Sequence, residues 1–281
     1  MPSPPQRLVV TGDGKKPRVT ETVERALPIL EEAGREITVD LDESQPIEST
    51  AADIVLVFGG DGAILKTARR LGKHCVPVCG VNLGKLGFLA TVANADLAAE
   101  LSLILSGDFT VEQVVTFDCS VVRDDSTVHE CRGINDAVVS RGALSRIVPV
   151  TVHLDGDRIA TYNGDGVIVS TPLGSTAHSL SAGGPIVEPC LDALILTPIC
   201  PHTLSNRPLV IPASSRIELE VAGETPEAAL TIDGQVFHEL LHGDRVAVCL
   251  SEKRLELVRA SGYNYYRTLR EKLGWSGRFG D

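Results

Sequence analysis

Two stretches of this chain gather residue types suited to holding phosphate groups and activating an alcohol. The first is Val55-Leu56-Val57-Phe58-Gly59-Gly60-Asp61-Gly62-Ala63-Ile64-Leu65, an apolar run that passes directly into glycines and then into helical spacing. At such a strand-to-helix turn, glycines let backbone N–H groups approach phosphate oxygens, and the helix dipole favours negative charge. Asp61 stands in the middle of that turn. A carboxylate has no electrostatic reason to lie among phosphates unless it holds a cation or takes a proton from an attacking hydroxyl. The alternative is a helix N-cap aspartate in a tight glycine turn, and the motif alone leaves both readings open.

The second stretch is Asn163-Gly164-Asp165-Gly166, then an apolar strand, then Thr171-Pro172-Leu173-Gly174-Ser175-Thr176-Ala177-His178-Ser179-Leu180-Ser181-Ala182-Gly183-Gly184-Pro185. A run of small, hydroxyl-bearing and glycine residues cannot build a core. It can surround one ligand with backbone N–H groups and hydroxyls, so a nucleotide-shaped guest is the natural inference. The competing reading is an elaborate structural loop.

These residues need elements to position them. The first third alternates short β-branched runs with helical spacing: Arg7 to Thr11, Thr20 to Glu32, Ile37 to Asp40, Ile54 to Phe58, Ala63 to Leu71, Pro77 to Val81 and Leu97 to Ser106. That is the αβ alternation of a parallel sheet flanked by helices. After Gly107 the chain turns to short alternating runs, among them Cys119 to Val122, Ala137 to Ser140, Val148 to Leu154, Gly166 to Ser170, Arg216 to Val221 and Arg245 to Leu250. Turn signals such as Asp155-Gly156-Asp157 and Asp233-Gly234 separate them, the mark of an all-β sandwich-like domain. The tail regains helical spacing, with Tyr266, Leu269 and Leu273 on one face. The expected organisation is an α/β domain over 1–108, a β-rich domain over 109–258 and a helical tail over 259–281 that packs back on the α/β domain.

At 281 residues, 43% hydrophobic and 22% charged, the chain reads as globular. Its net charge of -11 repels nucleic-acid phosphates and anionic lipid, so neither is an expected partner. The longest apolar runs fall far short of a membrane span, and the proline-rich start lacks the pattern of a signal peptide. The expected location is the cytoplasm. Seven scattered cysteines are expected to be reduced and mostly small core residues, with Cys75 and Cys79 the only close pair and no zinc-ligand pattern.

Gly59-Gly60-Asp61-Gly62, Asn135-Asp136, Asp165-Gly166, the Thr171 to Pro185 run and Asp233-Gly234-Gln235 occur together and in that order. In this combination the chain resembles the NAD kinase family over nearly its whole length. The Gly-Gly-Asp-Gly turn alone is shared with phosphofructokinases and with diacylglycerol and sphingosine kinases, whereas the glycine-serine-threonine run is far more specific. The resemblance implies a Rossmann-like parallel α/β domain, an NAD-binding β domain, and a homodimer or homotetramer. It implies transfer of a phosphoryl group from ATP or polyphosphate to the adenosine ribose 2′-hydroxyl of NAD, with Asp61 as general base. The Gly59, Gly60 and Gly62 backbones would meet phosphates, with Lys66 nearby. Asn135, Asp136, Asp165, the stretch Thr176, Ala177, His178, Ser179 to Ser181, and Gln235 would contact NAD, and Arg146 and Asn163 occupy places that often face ligand.

Two residues depart from the family pattern: Ala63, where threonine is common after Gly-Gly-Asp-Gly, and His178, where tyrosine is common. The first removes a hydroxyl able to bond a phosphate, and the second puts a titrating ring beside the nucleotide. Two anionic substrates on an acidic protein call for a divalent cation. Magnesium riding on the donor phosphates is expected rather than a full protein cage, because no dense carboxylate cluster flanks Asp61. The alternatives are a lipid or other alcohol kinase, which would want a basic or amphipathic docking surface, and a catalytically silent NAD(P)-binding regulator.

Overall fold

The computed structural model describes residues 2–72, 74–84, 87–142, 147–203, 205–222, 228–260 and 262–275. The chain divides into two compact units, Met1–Gln113 joined by Leu255–Asp281, and Val114–Arg254.

The first unit contains β1 (Arg7–Gly12), α1 (Pro17–Glu32), β2 (Glu36–Asp40), β3 (Ile54–Phe58), α2 (Asp61–Arg70), β4 (Val78–Asn82), β5 (Ala90–Ala93), α3 (Leu97–Ser106) and β6 (Phe109–Val114). Every residue of β3 and β4 is buried, as strands covered on both faces require, which is why they read as unbroken apolar runs. Pairing is parallel from β1 to β2, β1 to β3, and β3 to β4. The chain lays β2 on one side of β1 and β3 on the other. Strand order therefore reverses at the β1–β3 pair, and the carboxyl ends there open into the glycine loops after Gly12 and Phe58. In open α/β sheets that reversal is where ligands bind. Helix α1 starts with Pro17 in its first turn and buries Val19, Val23, Ala26 and Leu30 against this sheet.

The second unit holds β7 (Phe117–Arg123), β8 (Ser126–Gly133), β9 (Asp136–Arg141), β10 (Val148–Leu154), β11 (Asp157–Gly164), β12 (Gly166–Ser170), α4 (His178–Ser181), β13 (Ala193–Ile199), β14 (Leu209–Pro212), β15 (Ile217–Val221), β16 (Ala228–Ile232), β17 (Val236–Leu240) and β18 (Arg245–Leu250). They form two six-stranded sheets, ordered β11-β10-β15-β18-β7-β8 and β14-β13-β12-β9-β16-β17, with antiparallel pairing throughout the recorded ladders. Alternate residues from both sheets, among them Phe117, Val139, Val150, Val169, Leu219 and Val248, make one apolar core.

The chain then returns to the first unit. β19 (Leu255–Ala260) pairs in parallel with β4, giving the order β2-β1-β3-β4-β19-β6 with β5 beside β4. The sequence reading ran the β-rich segment to residue 258, whereas this strand belongs to the α/β sheet. Its buried, β-branched composition suits either sheet, so spacing alone cannot assign it. The tail forms α5 (Tyr265–Leu273), with the Asn264 side chain accepting from the Arg267 N–H as N-cap. Its buried residues are Thr268 and Leu269, while Tyr266 is 64% exposed, contrary to the expected face. All seven cysteines are free; Cys79 and Cys119 are buried, but Cys75, Cys190 and Cys200 are exposed rather than core residues. Among the described residues no helix is long and apolar enough to cross a membrane.

Candidate active site

Asp61 is the first residue of α2, which starts two residues before the helical spacing becomes visible in the sequence. Gly60 is the N-cap and is extended, and no side chain caps the helix. The Asp61 carboxylate turns instead to the segment after β4. Its Oδ2 accepts from the Phe88 N–H at 2.9 Å, and its Oδ1 accepts from Leu89 and Ala90 at 3.0 Å each. Gly87 makes this approach possible, since a Cβ there would lie 2.0 Å from Oδ1. An ionised carboxylate accepts about four hydrogen bonds. Among the described residues two are filled on Oδ1 and one on Oδ2, which leaves Oδ2 able to accept one more.

Around this carboxylate, a Cβ on Gly60 would meet nothing within 4 Å, while one on Gly59 would meet the Ala63 methyl at 2.7 Å. Gly62 follows Asp61 in the first turn of α2. Lys66, one turn further on, is ion-paired with Glu43; both side chains are substantially exposed.

In the second unit, Asn135 and Asp136 stand at the start of β9. The Asp233 carboxylate organises them: its Oδ1 accepts from Ile134 at 3.1 Å, Asn135 at 2.7 Å and Asp136 at 3.2 Å. Asp233 and Gly234 both have positive φ, 51° and 64°, in the hairpin turn that joins β16 to β17. The turn closes with the Gln235 N–H donating to the Ile232 carbonyl at 2.9 Å. Asp136 is 4% exposed and accepts from the His178 backbone N–H. Burial first, and the neighbouring Asp233 second, push its carboxyl up to about 7.

The glycine-serine-threonine run packs onto the same place. The Thr171 N–H donates to the Asn135 carbonyl at 2.9 Å, and the Thr171 hydroxyl donates to the Ile134 carbonyl at 2.7 Å. A Cβ on Gly174 would sit 2.0 Å from the Asn135 oxygen. The run divides into two kinds of hydroxyl. Ser175 and Ser179 are fully buried and bonded internally, Ser179 to Thr197 at 2.8 Å. Thr176 and Ala177 are partly exposed, and His178 and Ser181 are exposed. Asp165 is half-exposed and accepts from Arg141 Nε at 2.8 Å. Asn163 is exposed, its carbonyl accepting from the His202 N–H. Gln235 is exposed beside Asp233. Arg146 lies outside the described residues.

The structure thus brings Asn135, Asp136 and His178 together around Asp233, and sets Asp61, Gly59, Gly60 and Gly62 at one strand-to-helix turn. In the sequence Asp233 stands out only as part of a motif, and Phe88 to Ala90 do not stand out at all. The pair Gly84 and Gly87, just after an apolar strand, was the available signal.

Comparison with known proteins places the family of the whole chain. Residues 14–109 match the ATP-NAD kinase N-terminal domain and residues 134–260 match the ATP-NAD kinase C-terminal domain. The NAD kinase of Rhodopirellula baltica is 39% identical over 274 residues, covering 98% of this chain and 88% of that protein. The NAD kinase of Geobacter sulfurreducens is 44% identical over 227 residues, covering 81% and 80%. Among solved structures, yeast NADH kinase complexed with NADH superposes with a TM-score of 0.88 at 26% identity, covering 99% of this chain and 89% of that one. An NAD kinase from Archaeoglobus fulgidus in complex with ATP gives 0.78 at 27% identity, covering 98% and 100%. The chain therefore belongs to the NAD kinase family of phosphotransferases.

Proposed function

We propose that the protein phosphorylates the adenosine ribose 2′-hydroxyl of NAD, with ATP or polyphosphate as donor and Asp61 as general base. The observation that carries this reading is the Asp61 carboxylate itself, held by three backbone N–H groups yet with acceptor capacity left on Oδ2. A hydroxyl donating to Oδ2 is oriented by that bond and loses its proton along it as the phosphoryl group arrives. Phosphoryl transfer asks little more of a protein than alignment and charge neutralisation. The Gly59, Gly60 and Gly62 backbones at the N-terminus of α2 supply partial positive charge for phosphate oxygens. Lys66 would join them by leaving Glu43, an exposed pair whose loss costs at most about 1 kcal/mol.

Asn135, Asp136, Asp165, Thr176, Ala177, His178, Ser181, Gln235 and Asn163 would contact the dinucleotide, while buried Ser179 shapes the run that presents them. Bound NADH and bound ATP in relatives of this fold support the two substrate classes. A magnesium ion would come in on the donor phosphates, neutralising their charge. The seven free cysteines fit a reducing, cytoplasmic location. Exposed apolar residues on the edge strands β14 and β17, Val210 at 55% and Phe237 at 71%, fit a homodimer or homotetramer.

The test is NADP formation from NAD, ATP and magnesium. Asp61→Asn should bind NAD normally and turn over about a hundredfold slower or worse. NAD binding without NADP formation by the wild type, with any phosphate donor, would make the chain a binding protein.

A further inference from the structure

Behind the three N–H groups that hold Asp61 stands a buried cation. Arg259, at the end of β19, is 4% exposed. Its Nη1 donates to the carbonyl of Phe88 at 3.1 Å and, more weakly, to that of Leu89 at 3.4 Å. Its Nε donates to Glu112 Oε2 at 2.6 Å, and its guanidinium lies 4.4 Å from the centre of the Tyr263 ring. The Phe88 carbonyl and the Leu89 N–H are opposite ends of one peptide unit, and the Leu89 carbonyl and Ala90 N–H are opposite ends of the next. Both of those N–H groups donate to Asp61 Oδ1. The guanidinium thus grips, from the oxygen side, the two peptides that grip Oδ1 from the nitrogen side.

We infer that Arg259 is a positioning residue for phosphoryl transfer, acting on Asp61 through these two peptide units. A cation at a peptide oxygen polarises the unit and strengthens the donor at its nitrogen. The pull falls on one oxygen only. Oδ1 is saturated and fixed, and Oδ2, bonded among the described residues by the Phe88 N–H alone, is left as the oxygen that receives the acceptor hydroxyl. Glu112 and the face of Tyr263 orient the guanidinium, so its direction is set on two further sides. Lysine cannot reproduce this role, because a single ammonium cannot span a carboxylate and two carbonyls.

This inference rests on the reading of Asp61 as the base, and the experiment separates the two. kcat and KM for NAD are measured for wild type, Arg259→Lys, Glu112→Gln, Asp61→Asn and the double variant Asp61→Asn/Arg259→Lys, with thermal unfolding of each. Arg259→Lys should lower kcat about 10- to 100-fold, the loss of a hydrogen bond to a charged group, with KM for NAD within about twofold. Glu112→Gln, which keeps the guanidinium, should lower kcat in the same direction by less, and it carries the test should Arg259→Lys fail to fold. The double variant should turn over no more slowly than Asp61→Asn, because Arg259 has nothing left to act through. Wild-type kcat in both single variants beside a crippled Asp61→Asn overturns the role of Arg259 alone. Losses that multiply in the double variant make Arg259 merely structural and overturn it too. Full turnover by Asp61→Asn overturns the reading of Asp61, and with it this one.

Discussion

At Asp136 a residue's chemistry and its environment are at odds. The fold holds this carboxyl 4% exposed beside a second carboxylate, Asp233, and raises it from 3.8 to about 7. A carboxyl raised on folding favours the protonated native state, so its ionisation costs stability progressively from about pH 4 and fully above pH 7. Asp136→Asn should therefore be more stable than wild type at pH 8, by up to about 4 kcal/mol, and unfold at a higher temperature, with the difference vanishing near pH 4. Thermal melts across that range check it; a gap that does not change with pH would mean the carboxyl is not strained. The same variant should bind NAD more weakly, since stability surrendered at a buried acid is characteristic of a binding residue. Gly87 gives the complementary case. Its missing Cβ admits Asp61, and Gly87→Ala, which would place a carbon 2.0 Å from Oδ1, should cut kcat severely while leaving NAD affinity in place, as paired turnover and binding measurements would reveal.

At the scale of the element, the β16–β17 hairpin turn shows how local chemistry sets a site. Asp-Gly with both residues at positive φ matches the twist of two antiparallel strands. It also points the Asp233 carboxylate at three successive N–H groups of residues 134 to 136. Gly234→Ala at φ 64° should cost about 1 kcal/mol and, by loosening Asp233, raise KM for NAD with little change in kcat. Equal changes in KM and kcat would detach the turn from the proposed nucleotide site. The turn itself was legible in the sequence as Asp233-Gly234, because its signal is confined to two residues. The clamp on Asp61 was not, because Phe88 to Ala90 act through backbone N–H groups, which carry no side-chain signature.

At the scale of the whole molecule, acid should weaken the β unit. His129 on edge strand β8 and His238 on edge strand β17 stack with centroids 4.6 Å apart, joining the two sheets of the sandwich. Their Nε2 atoms are buried without a hydrogen-bond partner among the described residues. Burial, then His129 and Arg123, hold His238 below its ordinary 6.5, against the opposing pull of Asp244 and Glu239. The unfolded chain therefore binds the proton more readily, and stability falls as the pH drops through about 6.5. The melting temperature of wild type should decline more steeply from pH 7.5 to 5 than that of His238→Gln, and parallel slopes would remove the stack from the account.

The sequence by itself determined what needs only local order. Periodicity showed the parallel α/β portion and the β-rich portion, turn residues marked the hairpins, and the ordered motifs identified the family before any contact was known. The tertiary structure alone decided which distant residues meet. Spacing could not send Leu255–Ala260 back to lie beside Val78, because a strand's composition does not name its partner. It could not bring Asp233 under Asp136, separate the buried hydroxyls of Ser175 and Ser179 from the exposed ones around His178, or set Arg259 behind the peptides that hold Asp61. Those are consequences of packing, in which residues about 100 or more positions apart become neighbours only when both cores have closed.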